Sequence, residues 1–113
     1  MHELSVTQSM LDIALAHAQR AGASRIRRID VVVGELSGIV GESVQFYFDF
    51  LSKGTPAEGA TLAFRHVPAQ FRCRACGATY RAEGSDWACP ACGQLQPEVV
   101  GGRELLVESI EVE

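Results

Sequence analysis

Along the first third of the chain the apolar positions recur at helical and then at strand spacing. Val6, Met10, Ile13 and His17, flanked by Leu11, Ala14, Leu15 and Ala18, form a stripe every three to four residues that Gly22 ends. This period predicts an amphipathic helix whose stripe is core and whose His17 lies at its half-buried edge. Ser5 to Gln8 reads Ser-x-x-Gln, a capping box that would start the helix after Met1–Leu4. In RIRRIDVVVGEL the period changes to two, with Ile29, Val31 and Val33 on one face and Asp30, Val32 and Gly34 on the other, which predicts a strand. The next segment, SGIVGESVQFYFDFLSKGTPAEGA, fits two periods. Val44, Phe46, Phe48 and Phe50 alternate as in a strand, while Val44, Tyr47, Phe48 and Leu51 follow a helix. Gly41 and Ser43 suit a helix start, and Lys53, Gly54 and Pro56 suit a stop, so a second helix is expected. TLAFRHV, with His66 as an ordinary sheet residue, and RELLVESIEVE complete the set as short strands.

These elements predict an α/β (α+β) body in which two helices cover one face of a three-stranded sheet. A cysteine-bearing segment of about residues 69–97 interrupts the last two strands as a knob. The expected division is therefore residues 1–68 with 98–113 for the body and 69–97 for an inserted metal-binding unit. At 113 residues the chain has room for one such arrangement. The formal charge of −4 leaves no basic surface for phosphates, so nucleic acid is not an expected partner. No apolar run approaches a bilayer span, and Glu3 and Asp12 stand where a secretory signal would be basic and apolar, so a soluble cytoplasmic protein without a membrane partner is expected.

All four cysteines fall in CRACG at 73–77 and CPACG at 89–93, a CxxC, twelve residues, and a second CxxC. A glycine after each pair lets the backbone turn tightly, so that its N–H groups point at the thiolates. Cys73, Cys76, Cys89 and Cys92 then supply a closed tetrahedral set for Zn2+ at about 2.3 Å per bond, with no open position for water, which makes the ion structural. Two matched knuckles suit a redox dithiol poorly, since that chemistry needs one pair at a helix start. The same knuckles resemble the iron site of rubredoxins, which keeps iron open as the metal. No Ser/His/Asp set, paired catalytic carboxylates or phosphate-binding glycine loop is apparent, and an enzyme is not expected.

MHELS at the N-terminus, a helix, a strand running into VGELSGI, a second helix and a late CxxC-x12-CxxC together resemble the HypA/HybF family of hydrogenase nickel-incorporation proteins over essentially the whole chain. The resemblance implies a nickel metallochaperone with structural zinc at the four cysteines and labile Ni2+ cargo at Met1, His2 and Glu3. It also implies work with a HypB-like maturation GTPase, delivery to the hydrogenase large subunit, and movement of the zinc knob relative to the body. Chemistry agrees with the nickel assignment: an α-amine, neighbouring amide nitrogens and an imidazole close small chelate rings, and Ni2+ accepts such a square-planar set. Some family members place an aspartate after the first strand, near the nickel; the stretch GELSGIVGES offers Glu35 and Glu42 instead. The competing reading is a zinc-ribbon interaction module in which His2 is incidental.

Overall fold

The computed structural model describes residues 3–81 and 87–113. The elements are α1 (Glu3–Arg20), β1 (Ile26–Gly34), α2 (Gly41–Leu51), β2 (Thr61–Val67), β3 (Gln70–Cys73), β4 (Thr79–Tyr80), β5 (Pro97–Gly101) and β6 (Leu105–Val112). They build two three-stranded sheets, ordered β2-β1-β6 and β4-β3-β5.

In the larger sheet β1 is central, and its Ile26, Ile29, Val31, Val32 and Val33 are all buried. It runs parallel to β2, from Arg28↔Thr61 to Gly34↔Val67, and antiparallel to β6. A parallel pair cannot be closed by a hairpin, so α2 serves as the crossover. Ile29, Val31 and Val33 of β1 meet Leu62 of β2 and residues of both helices in one core, with Phe64, Leu105, Val107 and Ile110 packed against it. Two helices on one face of a three-stranded sheet is the expected body.

The second helix forms where Gly41 and the stop residues place it, from Gly41 to Leu51. Val44 and Phe48 are buried, whereas the strand-like Phe46 and Phe50 are 67% and 70% exposed. Helical spacing prevails because a helix places Val44 and Phe48 one turn apart on the face against the sheet.

Two local expectations for α1 change. The helix begins at Glu3, two residues before the expected cap, and the Gln8 amide donates to Asp12 Oδ1 at 2.9 Å rather than reaching back. Its buried face is Val6, Thr7, Met10, Leu11, Ala14 and Ala18. Ile13 is 47% exposed, and His17 is exposed rather than half-buried. Ala14 and Ala18, fully or almost fully buried, let the helix axis approach its neighbours closely. Packing therefore rotates the stripe toward these small side chains and away from Ile13.

The smaller sheet was not legible as strands. β3 pairs antiparallel with β4 and with β5, and a small cluster of Ala69, Phe71, Cys73, Tyr80 and Cys89 lies on it. The molecule is correspondingly long, 54 × 25 × 17 Å. Among the described residues no helix is long and apolar enough to cross a membrane.

Candidate metal centre

Cys73 is the last residue of β3, and the chain turns immediately after it. The Gly77 N–H donates to the Cys73 carbonyl at 2.8 Å, and the Cys73 N–H donates to the Ala78 carbonyl at 2.8 Å. The second knuckle repeats the pattern, with Gly93 N–H to Cys89 O at 2.8 Å and Cys89 N–H to Gln94 O at 2.9 Å. Gly77 and Gly93 stand at φ +80° and +77°, a left-handed conformation that glycine adopts without a Cβ penalty. The glycine after each CxxC is thus a condition of the turn. An Arg74 N–H to Gln96 O bond at 3.0 Å ties the two knuckles together.

This backbone brings all four sulfurs within 4.8 Å of one another. Cys73 Sγ meets Cys92 Sγ at 3.6 Å and Cys76 Sγ meets Cys89 Sγ at 3.7 Å, each contact crossing between knuckles. A tetrahedral ion with bonds of about 2.3 Å would hold its sulfurs about 3.8 Å apart. The observed spacing therefore fits a four-thiolate metal site and is far beyond the disulfide bond length of about 2.0 Å. Cys73 and Cys89 are buried against the small core, while Cys76 and Cys92 are exposed.

The electrostatics show why the set needs a cation. The backbone N–H of Cys92, aided by that of Ala91 and by neighbouring thiols and opposed by burial, lowers the Cys89 thiol to about 7. At Cys92 the Gln94 N–H acts in the lowering direction, but burial and the sulfurs of Cys73, Cys76 and Cys89 outweigh it and raise the thiol to about 12. One thiolate is favoured and the next is opposed by it. A shared divalent ion removes that opposition, since a coordinating thiol is deprotonated outright.

Three aromatic rings support the second knuckle. Phe71 is fully buried between Tyr80 and Trp87, with ring centroids 5.7 and 5.0 Å away. The Tyr80 hydroxyl donates to the Trp87 carbonyl at 2.7 Å, two residues before Cys89. The alternation of Phe71 and Cys73 within QFRC is the signal of this support in the sequence.

Of the expected nickel residues, Met1 and His2 lie outside the described residues. Glu3 opens α1, and its carbonyl accepts the Thr7 hydroxyl at 2.6 Å. The first turns of α1 line an apolar groove with Leu105, Leu106 and Val107, which places the start of α1 beside the start of β6. Gly41, the start of α2, lies against the ring of Phe64, the middle residue of β2. Leu105–Val107 pair with Val33–Val31, so the start of α1 lies toward the C-terminal end of β1, the end from which the smaller sheet departs. Glu42 is exposed in the first turn of α2, while the Glu35 carboxylate accepts the Ala69 N–H at 3.0 Å. Among the described residues the four cysteines are the one cluster of three or more potential ligands.

Comparison with known proteins agrees with this geometry. A family model described as "Hydrogenase/urease nickel incorporation, metallochaperone, hypA" matches residues 1–112. A hydrogenase maturation factor HypA of Dehalococcoides mccartyi strain 195 is 46% identical over 113 residues, covering 100% of this chain and 95% of its own. The HypA of Caldanaerobacter subterraneus is 45% identical over 115 residues, with both chains covered completely. Among solved structures, a HypA solution structure superposes with a TM-score of 0.77 at 23% identity over 100% of this chain and 97% of its own. The Ni metallochaperone HypA from Helicobacter pylori superposes at 0.69 and 23% identity, covering 99% and 97%. At that identity these two speak for the fold, and it is the full-length family and sequence matches, on a chain with this two-sheet fold and four-sulfur cluster, that decide the matter: the chain belongs to the HypA family of nickel metallochaperones for hydrogenase maturation.

Proposed function

We propose that this chain carries Ni2+ at Met1, His2 and Glu3 and delivers it to a hydrogenase large subunit in the cytoplasm, in concert with a HypB-like GTPase. It acts as a carrier and not as an enzyme. Cys73, Cys76, Cys89 and Cys92 hold a structural Zn2+ in an inserted metal-binding unit, bounded at 69–97 by the sequence reading and extended by its own sheet through β5 to Gly101. The observation that carries the reading is the family match that begins at residue 1, so that Met-His-Glu falls within the matched chain. Position supports it too: the first turn of an α-helix has no intrahelical acceptors for its N–H groups, so the N–H of Glu3, which opens α1, is not committed to a helical bond. A site of so few ligands suits an ion that must be handed on. Binding displaces protons from amide and imidazole nitrogens, so affinity falls as pH drops through the imidazole range.

Calorimetric titration of Ni2+ into the zinc-loaded chain with its native N-terminus, beside His2→Ala and a form extended by two residues ahead of Met1, tests the assignment. One equivalent bound by the native chain and lost in both variants is the expected result. Equal binding by all three would favour the zinc-ribbon interaction module. Metal analysis of the purified protein separates zinc from iron, since a four-thiolate iron centre would be red.

A further inference from the structure

Helix α2 turns two aromatic rings to solvent. Phe46 and Phe50 stand one turn apart and are 67% and 70% exposed, while the helix buries Val44 and Phe48. A single exposed apolar side chain needs no explanation, but two large rings side by side make a patch of the kind that marks a contact surface. The Phe46 ring is held by an edge-on contact with Tyr47, centroids 5.4 Å apart at 74°. On the flank, Gln45 Nε2 donates to Asp49 Oδ1 at 2.7 Å, so these polar groups keep a partner within the helix when the rings are covered.

The two ends of this row differ in charge. Counted by fours the row runs Glu42, Phe46, Phe50, and Lys53 follows three residues on, past a C-cap Ser52 that keeps helical angles of φ −78° and ψ −12°. Glu42 and Lys53 are both exposed. They lie about 16 Å apart along the axis, too far to pair with each other. Among the described residues neither is in an ion pair. The row is therefore self-complementary: Phe46 and Phe50 are centred on Phe48, and Glu42 and Lys53 are centred beside it, between Tyr47 and Phe48. A second α2 laid antiparallel across this centre brings Phe46 onto its Phe50 and Glu42 to its Lys53, each contact occurring twice by symmetry. A parallel copy would set like charges against each other, and only the antiparallel one opposes the helix dipoles favourably.

We propose that the exposed face of α2 is a self-association surface, occupied by α2 of a second copy of this chain in an antiparallel two-fold pair. Two rings per copy cover much less than the roughly 800 Å2 per partner of a stable interface, so the pair is reversible and forms at high-micromolar concentration. The aromatic contact supplies the attraction, and the end charges set direction and register. None of this depends on the nickel reading.

Sedimentation equilibrium of the zinc-loaded, nickel-free full chain tests the surface. Native protein should show a monomer–dimer equilibrium. Phe46→Ser, at an exposed site, should keep the native circular dichroism and weaken association at least about tenfold, as loss of a central aromatic anchor does. Glu42→Lys and Lys53→Glu should each weaken it about fivefold when alone. An equimolar mixture of those two variants should associate about as tightly as native protein, because both end contacts between unlike chains again join opposite charges. A native chain that stays monomeric into the millimolar range, or a dimer that Phe46→Ser leaves intact, would overturn the surface. A mixture that associates no more tightly than its components would overturn the antiparallel pairing.

Discussion

Gly34 at the end of β1 and Gly102 in the return crossing pack backbone to backbone, with a Gly34 Cβ position only 2.2 Å from the Gly102 carbonyl oxygen. Gly34 needs no left-handed conformation, so its requirement is one of space. The neighbour is backbone held by its own hydrogen bonds, and it has no flexible end to move aside. Gly34→Ala should therefore destabilise the protein by at least about 1–3 kcal/mol, the range for overpacking a well-packed site. Urea unfolding of both proteins checks this, and a midpoint within error of native would show that the crossings yield.

The metal site makes a prediction about which part of the fold depends on it. Among the described residues the smaller sheet has five buried core residues, two of them cysteines of the four-sulfur cluster. Structural zinc contributes on the order of 10–16 kcal/mol in small peptides, more than such a core supplies. Chelation of the metal, or Cys89→Ser, should abolish the ordered environment of Trp87, seen as a red shift in its emission, while the far-UV helical signal of α1 and α2 persists. Loss of the helical signal in parallel would show that the body depends on the metal as well.

Acid should release the ion in a defined direction. The Cys89 thiol is lowered from its ordinary value of 9.0 to about 7, led by the Cys92 backbone N–H. A group whose folded value is depressed adds stability that is complete above its unfolded value and is lost as pH falls through the folded one. Thiolate coordination adds further proton competition with the same sign. Zinc should remain bound above pH 9, and retention should weaken as pH falls below 7, followed with a colorimetric zinc indicator. Release that grows with rising pH across that window would contradict the assignment.

Helix α2 starts without a side-chain cap. Val40 occupies the N-cap with φ −101° and ψ 119°, and no side-chain hydrogen bond is made there. Its side chain is 54% exposed, so little packing is lost on replacement. Val40→Asp should stabilise the protein by about 1 kcal/mol, by accepting a first-turn N–H and placing negative charge at the helix start. Thermal unfolding reads this directly; an unchanged or lowered midpoint would mean that Val40 has a packing role the exposure conceals.

The rotation of α1 separates two residues that the apolar stripe treats alike. Leu11 is 2% exposed and Ile13 is 47% exposed. Leu11→Ala should cost about 2–5 kcal/mol. Ile13→Lys should stay within about 0.5 kcal/mol, as surface changes usually do. Comparable losses in the two variants would return Ile13 to the core.

Much of this protein is written in local spacing. Alternation at Ile29, Val31 and Val33 marks the central strand, because side chains in a strand point to opposite faces whatever surrounds them. Gly54, at φ +77°, and Pro56 mark the end of α2 through backbone preferences of their own. The paired CxxCG knuckles announce a four-sulfur metal site because each turn closes through hydrogen bonds within six residues, from Cys73 to Ala78 and from Cys89 to Gln94.

What the sequence could not settle depends on partners far away in the chain. The buried face of α1 turns on how closely Ala14 and Ala18 approach other elements, and the stripe alone contains no such distance. β3 and β5 become strands because Phe71 pairs with Val99 across nearly thirty residues. Glu35 looks like a free loop carboxylate until the fold carries Ala69 to it. Local geometry determined the elements and the thiolate site; only tertiary structure, where three distant segments meet at Gly34, Ala69 and Gly102, decided how the metal-binding sheet is held to the body.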